Sequence, residues 1–294
     1  MDNRAEVSAF LKSRRDKITP EQAGLPVYGQ RRVPGLRRGE VAMLAGVSVE
    51  YYTRLERGNL TGVSEQVLDA LAQALRLDDT ERMHLHDLAR TAAAGSRAPA
   101  RRRDSRPAIR PSVARVVEGI PDLPAYVQNN RMDMLAANAM GRALYAPMYA
   151  EPAWEANTAR FAFFSPAAQT FYADYERVTH SAVGALRIAA GKNPYDRELS
   201  NLIGELSTRS DTFRRLWGGH DVHVFREGNK RFRHPAVGDL DLDYERLDLP
   251  DDSGLSVVVY SAPAGSASGD GLKLLASWAA DTHQEDAAGT DAQT

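Results

Sequence analysis

Between Arg37 and Gly58 the apolar positions repeat at helical spacing twice, with one break. Val41, Ala42 and Ala45 fall at i, i+1 and i+4, and Tyr52 and Leu55 at i and i+3. Gly46 sits in the break, where glycine takes a positive φ at no steric cost. Ser48 follows as an N-cap, its hydroxyl accepting from an amide two or three residues on. The pattern predicts two short helices around a tight turn, the second running from Val49 and closed by Gly58. Val49, Glu50, Thr53, Arg54 and Arg57 stay on its outer face, with Ser48 at its start. Two crossed helices, a glycine-containing turn and a polar outer face describe a helix-turn-helix.

The helical reading extends in both directions. Val7, Phe10, Leu11 and Arg14 sit at helical spacing before Pro20. Residues 20–36 hold three prolines and three glycines and form a loop carrying Arg31 and Arg32. It is longer than the usual connection of about four to six residues. Ser64 caps a helix with Val67, Leu68, Leu71, Ala72 and Leu75 inward. Asp78 and Glu81 form a capping box opening a helix through Met83, Leu85, Leu88 and Ala89. Residues 1–93 therefore make an all-α domain of five helices. Residues 94–111 are rich in Ala, Arg, Ser and Pro and read as a flexible linker.

Residues 112–280 mix the two periodicities. Val113, Val116 and Val117 suggest a helix, and 125–128 and 132–136 two strands around an Asn129-Asn130-Arg131 hairpin turn. Asn138 caps a helix to Tyr145, and helical segments follow near 157–164, 166–190, 197–208 and 211–217. Val222–Phe225 and Arg231–Arg233 flank a turn at Glu227–Lys230. Asp239–Tyr244 alternates, one face apolar and one acidic, as a half-buried antiparallel strand does. Leu255–Tyr260 reads as a more buried strand, and a helix through Leu272, Leu275 and Trp278 ends the domain. The acidic, alanine-rich residues 281–294 are expected to be a disordered tail. The expectation is an α+β domain, a five-stranded antiparallel sheet with helices over one face.

Charge changes the picture more than composition does. The 294 residues suffice for two domains, and the net charge of −2 hides an asymmetry. Residues 1–110 hold 20 Lys and Arg against 14 Asp and Glu, and the remainder holds 17 against 25. The basic end suits a phosphate backbone, which the acidic remainder would repel. The absence of cysteine excludes disulfides and thiolate metal sites. No run approaches the ~18 apolar residues of a membrane span, and the N-terminus has no apolar signal core. A soluble, cytoplasmic protein is expected.

The spacing Glu40-Val41-Ala42…Gly46-Val47-Ser48…Tyr52…Leu55-Glu56-Arg57-Gly58 resembles the phage-repressor-type (Xre-type) helix-turn-helix. Arg31–Arg38 and most of the chain after them resemble the narrower MmyB-like regulators. That match continues through Pro124–Val127, Arg209–Trp217, His220–Val222, Lys230–Pro235 and Tyr244-Glu245. The resemblance implies a PAS-like second domain with a fatty-acid-type ligand in an apolar pocket. It also implies an internal, structural role for Glu56.

Candidate chemistry follows from both readings. Arg54 can pair bidentately with guanine N7 and O6, or form an i, i+4 salt bridge with Glu50. Glu50 can accept from cytosine N4, or stand as a solvated charge. Arg38, Arg57 and Thr53 suit phosphate, and Arg31 and Arg32 are either phosphate contacts or a solvated basic loop. Ligand contacts are assigned to Phe161, Phe164, Phe171, Tyr175, Trp217, His220 and Arg231, with Phe163, Tyr172, Arg214, Arg215 and Arg233 nearby. The aromatic block reads equally as plain core. His220 and His223 fall on opposite faces of a strand, and His84 and His86 are two apart on a helix, so neither pair has ligand spacing. Phosphate-loop, dinucleotide and nucleophile-elbow motifs are absent. No catalytic residue, metal or cofactor is assigned, apart from a bound fatty acid as effector. The reading is a regulator that binds duplex DNA as a homodimer and senses a small apolar effector. Two rivals stay open: an enzyme tethered to DNA, and a second domain that only dimerises or binds a protein partner.

Overall fold

The computed structural model describes residues 3–26, 33, 35–94, 109–151, 153–220, 227–249 and 254–291. They form two compact units, Met1–Arg103 with Val183–Val224, and Asp104–Ala182 with Phe225–Thr294.

The first unit is helical. Its N-terminal part holds α1 (Asn3–Lys17), α2 (Arg38–Leu44), α3 (Val49–Glu56), α4 (Glu65–Ala74) and α5 (Asp79–Ala94). The caps stand where local chemistry puts them. Gly46 takes φ +65°, and Ser48 Oγ accepts from the Tyr51 amide at 3.1 Å. Ser64 Oγ accepts from Val67 at 3.4 Å. Asp78 and Glu81 exchange side-chain-to-amide bonds at 2.8 and 3.1 Å, a complete capping box. Val7, Phe10, Leu11, Leu36, Val41, Tyr52, Leu55, Leu71, Leu85 and Leu88 fill one core. Val183–Val224 belongs to this unit too, bringing the later part of α11 (Tyr175–Lys192), α12 (Arg197–Arg209) and α13 (Asp211–Gly218). Ile188 packs on the helix-turn-helix core. Gly191 lies so close to the His84 ring that an added Cβ would stand 2.7 Å from Cε1.

The second unit is built on β1 (Ala125–Asn129), β2 (Met134–Ala137), β3 (Glu227–His234), β4 (Gly238–Asp248) and β5 (Leu255–Ser261). They form an antiparallel sheet in the order β2-β1-β5-β4-β3. Around it stand α6 (Pro111–Glu118), α7 (Ala139–Leu144), α8 (Ala146–Tyr149), α9 (Thr158–Phe164), α10 (Pro166–Phe171) and α14 (Ala267–Asp291), with the first turns of α11. Asn138 ties the sheet to α7. Its Oδ1 accepts from Gly141 and Ala125, and its Nδ2 donates to Ile120 and Leu123. In β4, Leu240 and Leu242 are buried while Asp239, Asp241 and Asp243 are exposed, as alternation requires.

Several expectations need correcting. The turn expected at Glu227–Lys230 is strand, because those residues pair with Glu245–Leu242 of β4. The chain reverses instead between His234 and Gly238, where Gly238 takes φ +80°. The single helix expected over 166–190 is two helices. Between them Tyr172 bridges to Phe232, and the Ala173 amide donates to the Arg231 carbonyl at 3.0 Å, covering the open edge of β3. In the first hairpin the left-handed residue is Met132, at φ +65°, with Asn129 Oδ1 accepting from the amides of Arg131 and Asp133. Helices lie on both faces of the sheet. Val113 and Val117 of α6 pack on Ala125, Val127 and Val257, whose alternate neighbours Tyr126 and Val258 point the other way. Helix α14 continues to Asp291, past the start of the expected tail. The strand expected at 222–225 and most of the expected linker lie outside the described residues.

Candidate functional site

Two sites were expected: the described DNA-facing candidates all fall within the first unit, and the ligand-facing ones are divided between the two. The DNA-facing candidates meet on α3. Val49, Glu50, Thr53, Arg54 and Arg57 line one open concavity of about 360 Å³ together with Arg4 and Asn59. Arg4 and Asn59 carried no local signal. Arg4 is brought there by tertiary packing, since Gly58, at φ +89°, leaves room for the Arg4 carbonyl where a Cβ would stand 2.1 Å away. Arg54 is exposed and its guanidinium lies 4.9 Å from the Tyr51 ring centre, a cation–π contact, and the alternative salt bridge with Glu50 is not formed. Thr53 Oγ1 donates back to the Val49 carbonyl at 2.7 Å, and Val49 is 45% exposed, open to a thymine methyl. Ser48 serves as the cap. Arg31 and Arg32 lie outside the described residues.

Glu56 fixes this helix from beneath. It is buried and accepts from Arg15 Nε at 2.5 Å, from Arg38 Nε, and from the Tyr52 hydroxyl at 3.3 Å. Burial opposes its ionisation, but Arg15 and Arg38 outweigh burial and hold its carboxyl below the ordinary value. Arg38 is thus anchored at its Nε while its side chain stays half exposed, which leaves it presentable to phosphate.

The ligand-facing candidates divide. Phe161 and Phe171 are buried in the second unit, in edge contact at 5.6 Å between ring centres. Phe164 sits apart, against Trp154. The Tyr175 hydroxyl donates to the Ala162 carbonyl at 2.9 Å. Arg231 is exposed and bound to Asp174, its Nε donating at 2.8 Å. Trp217 and His220 lie in the first unit. There they hold Arg187, a fully buried guanidinium over the Trp217 ring at 4.2 Å, with Nη1 2.8 Å from His220 Nδ1. Arg214 pairs with Asp211, and Arg215 and Arg233 are exposed.

What surrounds Phe171 was only partly foreseen. Tyr145, Tyr172, Phe232 and Tyr260 join it in one buried cluster, with ring centres 5.0–6.3 Å apart. The Tyr145 and Tyr260 hydroxyls are 2.8 Å apart, and burial pushes both pKa values well above the ordinary phenol, so both stay neutral. Lys230 reaches into this cluster. Its position was hidden because Gly228 and Asn229 read as a turn.

Among the described residues no group of three His, Cys, Asp or Glu side chains could hold a metal, and no helix is long and apolar enough to cross a membrane. A helix-turn-helix with an outward, polar recognition face and a sheet-and-helix unit with an aromatic core fit a ligand-responsive transcription regulator. Residues 6–85 match the model of a helix-turn-helix domain. Residues 109–275, more than half of the chain, match the MmyB-like transcription regulator ligand binding domain. The chain belongs to the MmyB-like transcription regulators. Both matched families are regulator domains. No curated protein matches the chain.

Proposed function

We propose that the protein is a one-component cytoplasmic regulator. It binds a palindromic operator as a homodimer through α3 and senses a small apolar effector, a fatty acid or related metabolite, in the sheet-containing unit. One observation carries the reading: Val49, Glu50, Thr53, Arg54 and Arg57 surround a single concavity on the recognition helix of a chain whose other half matches a ligand-binding domain. A single helix reads few base pairs, which is why such proteins pair two half-sites about one helical turn apart. An effector controls operator affinity only if it favours one conformation over another. Genome-wide binding of the tagged protein, followed by titration of recovered duplexes with the purified chain, tests the DNA half. Recovery of no shared, two-fold symmetric sequence would sink it. Native mass spectrometry of the purified protein, with lipid extraction, tests the effector half.

A further inference from the structure

An ammonium stands against the aromatic cluster of the second unit, on a side chain that is half-buried. Lys230 Nζ lies 5.7 Å from the ring centre of Tyr172, 5.9 Å from Phe232, 5.6 Å from Tyr244 and 5.7 Å from Tyr260. It donates to the Tyr260 hydroxyl at 3.2 Å, and that hydroxyl meets Tyr145. No carboxylate of the described residues stands within ion-pairing distance of it. Desolvation lowers its pKa to about 8.

The environment is unusual for a lysine that only packs. An ammonium offers three N–H donors and no acceptor. Here one donor is met by a phenol oxygen, and the rings attract the charge through their faces without accepting a conventional hydrogen bond. Partly desolvating a charge without a counter-charge is costly, and a methionine would fill the same space without that cost. Of the neighbouring cations, Arg177, whose charge also acts on Lys230, is bound to the Asn229 carbonyl and to Asp174. Arg231 and Arg233 alternate to the opposite face of β3, and Arg231 is bound to Asp174. Lys230 is therefore a half-buried donor set at the edge of an apolar cluster, lacking an anionic oxygen.

We propose that Lys230 is the anchor for the effector's acid group, so that the unit takes an amphipathic carboxylic acid whose carboxylate meets Nζ and whose apolar body lies against the rings. This rests on reading the second unit as effector-binding. The anchor makes the acid, rather than chain length alone, the feature that is recognised.

The test titrates the full-length chain with saturated fatty acids of graded length and with the matching primary alcohols. The wild type should bind the acid tighter than the alcohol by about tenfold or more, the scale of a charge-assisted hydrogen bond. Lys230→Met should bring the two to equal affinity while the alcohol still binds. Lys230→Arg should keep part of the preference. The acid-to-alcohol ratio is internal to each variant, so it is insensitive to a change in folded fraction, and Lys230→Gln gives a second reading of it. Equal binding of acid and alcohol by the wild type, or a preference that survives in Lys230→Met and Lys230→Gln, overturns the anchor alone. Binding of neither probe at any length overturns the effector reading and the anchor with it.

Discussion

Glu6 and Arg187 stand 181 positions apart in the sequence and meet at 2.7 Å, Oε1 to Nη1, with both side chains buried. The guanidinium has 0% exposure, and its second nitrogen donates to the Trp217 carbonyl. Burial alone would raise the Glu6 pKa, yet His220 and Arg187 bring it to about 2. Arg14 closes the cluster, donating to the His220 carbonyl at 2.5 Å and pairing with Glu81 at 2.9 Å. This ionic core ties α1 to α11 and the end of α13 within the first unit.

Breaking one side of such a pair leaves an unpaired buried charge. Glu6→Gln or Arg187→Met alone should destabilise the full chain by about 3–5 kcal/mol, and the double variant by less than the sum. Denaturant unfolding of the four proteins measures the cycle. Additive losses would show that the two side chains are not coupled.

Acid should loosen the same region in two steps. His84 is buried at the edge of the Phe10 ring, with neither ring nitrogen hydrogen-bonded, and burial lowers its pKa from 6.5 to about 4. Glu6 is lowered from 4.5 to about 2. Both groups bind protons more readily in the unfolded chain, so both contribute stability that is lost as pH falls. The His84 part is present above pH 6.5 and lost toward 4, and the Glu6 part is present above 4.5 and lost toward 2. Melting temperatures across this range check the order. His84→Leu should flatten the upper limb and leave the lower one, and an unchanged upper limb would count against the assignment.

Where backbone chemistry is local, the sequence was legible. Gly46, Ser48, Ser64, Asp78 with Glu81, and Asn138 each set a turn or cap through atoms a few residues away. The alternation of β4 and the recognition face of α3 could be read for the same reason. What escaped was decided by distant chain. The apolar spacing through Tyr172–Asp174 continues as a helix would, but the backbone there is captured by the edge of β3. Gly228 and Asn229 have turn composition, yet pairing with Tyr244 and Asp243 keeps them extended and aims Lys230 into the rings. Arg187 lies in an otherwise apolar stretch of α11, and its partner Glu6 is nearly at the other end of the sequence. His220 and Trp217 matched a family pattern for the second domain, but their side chains hold Arg187.

The Gly58 contact predicts a structural sensitivity next to the recognition helix. Gly58→Ala adds a Cβ to a residue at φ +89° and drives it into the Arg4 carbonyl. Strain at such a position is of order 1–3 kcal/mol, before the clash is counted. A melting-temperature loss together with weaker DNA binding is expected. A variant as stable as the wild type would show that α1 does not approach α3 this closely.

The recognition helix itself yields the sharpest separation of roles. Arg54 is exposed, free of Glu50 and held over Tyr51, which preorganises it for a base edge. Arg54→Ala should cost about 1–3 kcal/mol on the preferred operator and relax selectivity at one base pair. Arg57→Ala should weaken all duplexes alike and reduce the slope of log affinity against log salt by about one. Arg38→Ala should also act without sequence preference, and its loss leaves Glu56 held by Arg15 and Tyr52, so α3 stays in place. Fluorescence titrations on the preferred and a scrambled duplex, at several salt concentrations, separate the three outcomes. If Arg54→Ala lowers affinity for both duplexes equally, Arg54 contacts phosphate rather than a base, and another residue of the concavity reads the operator.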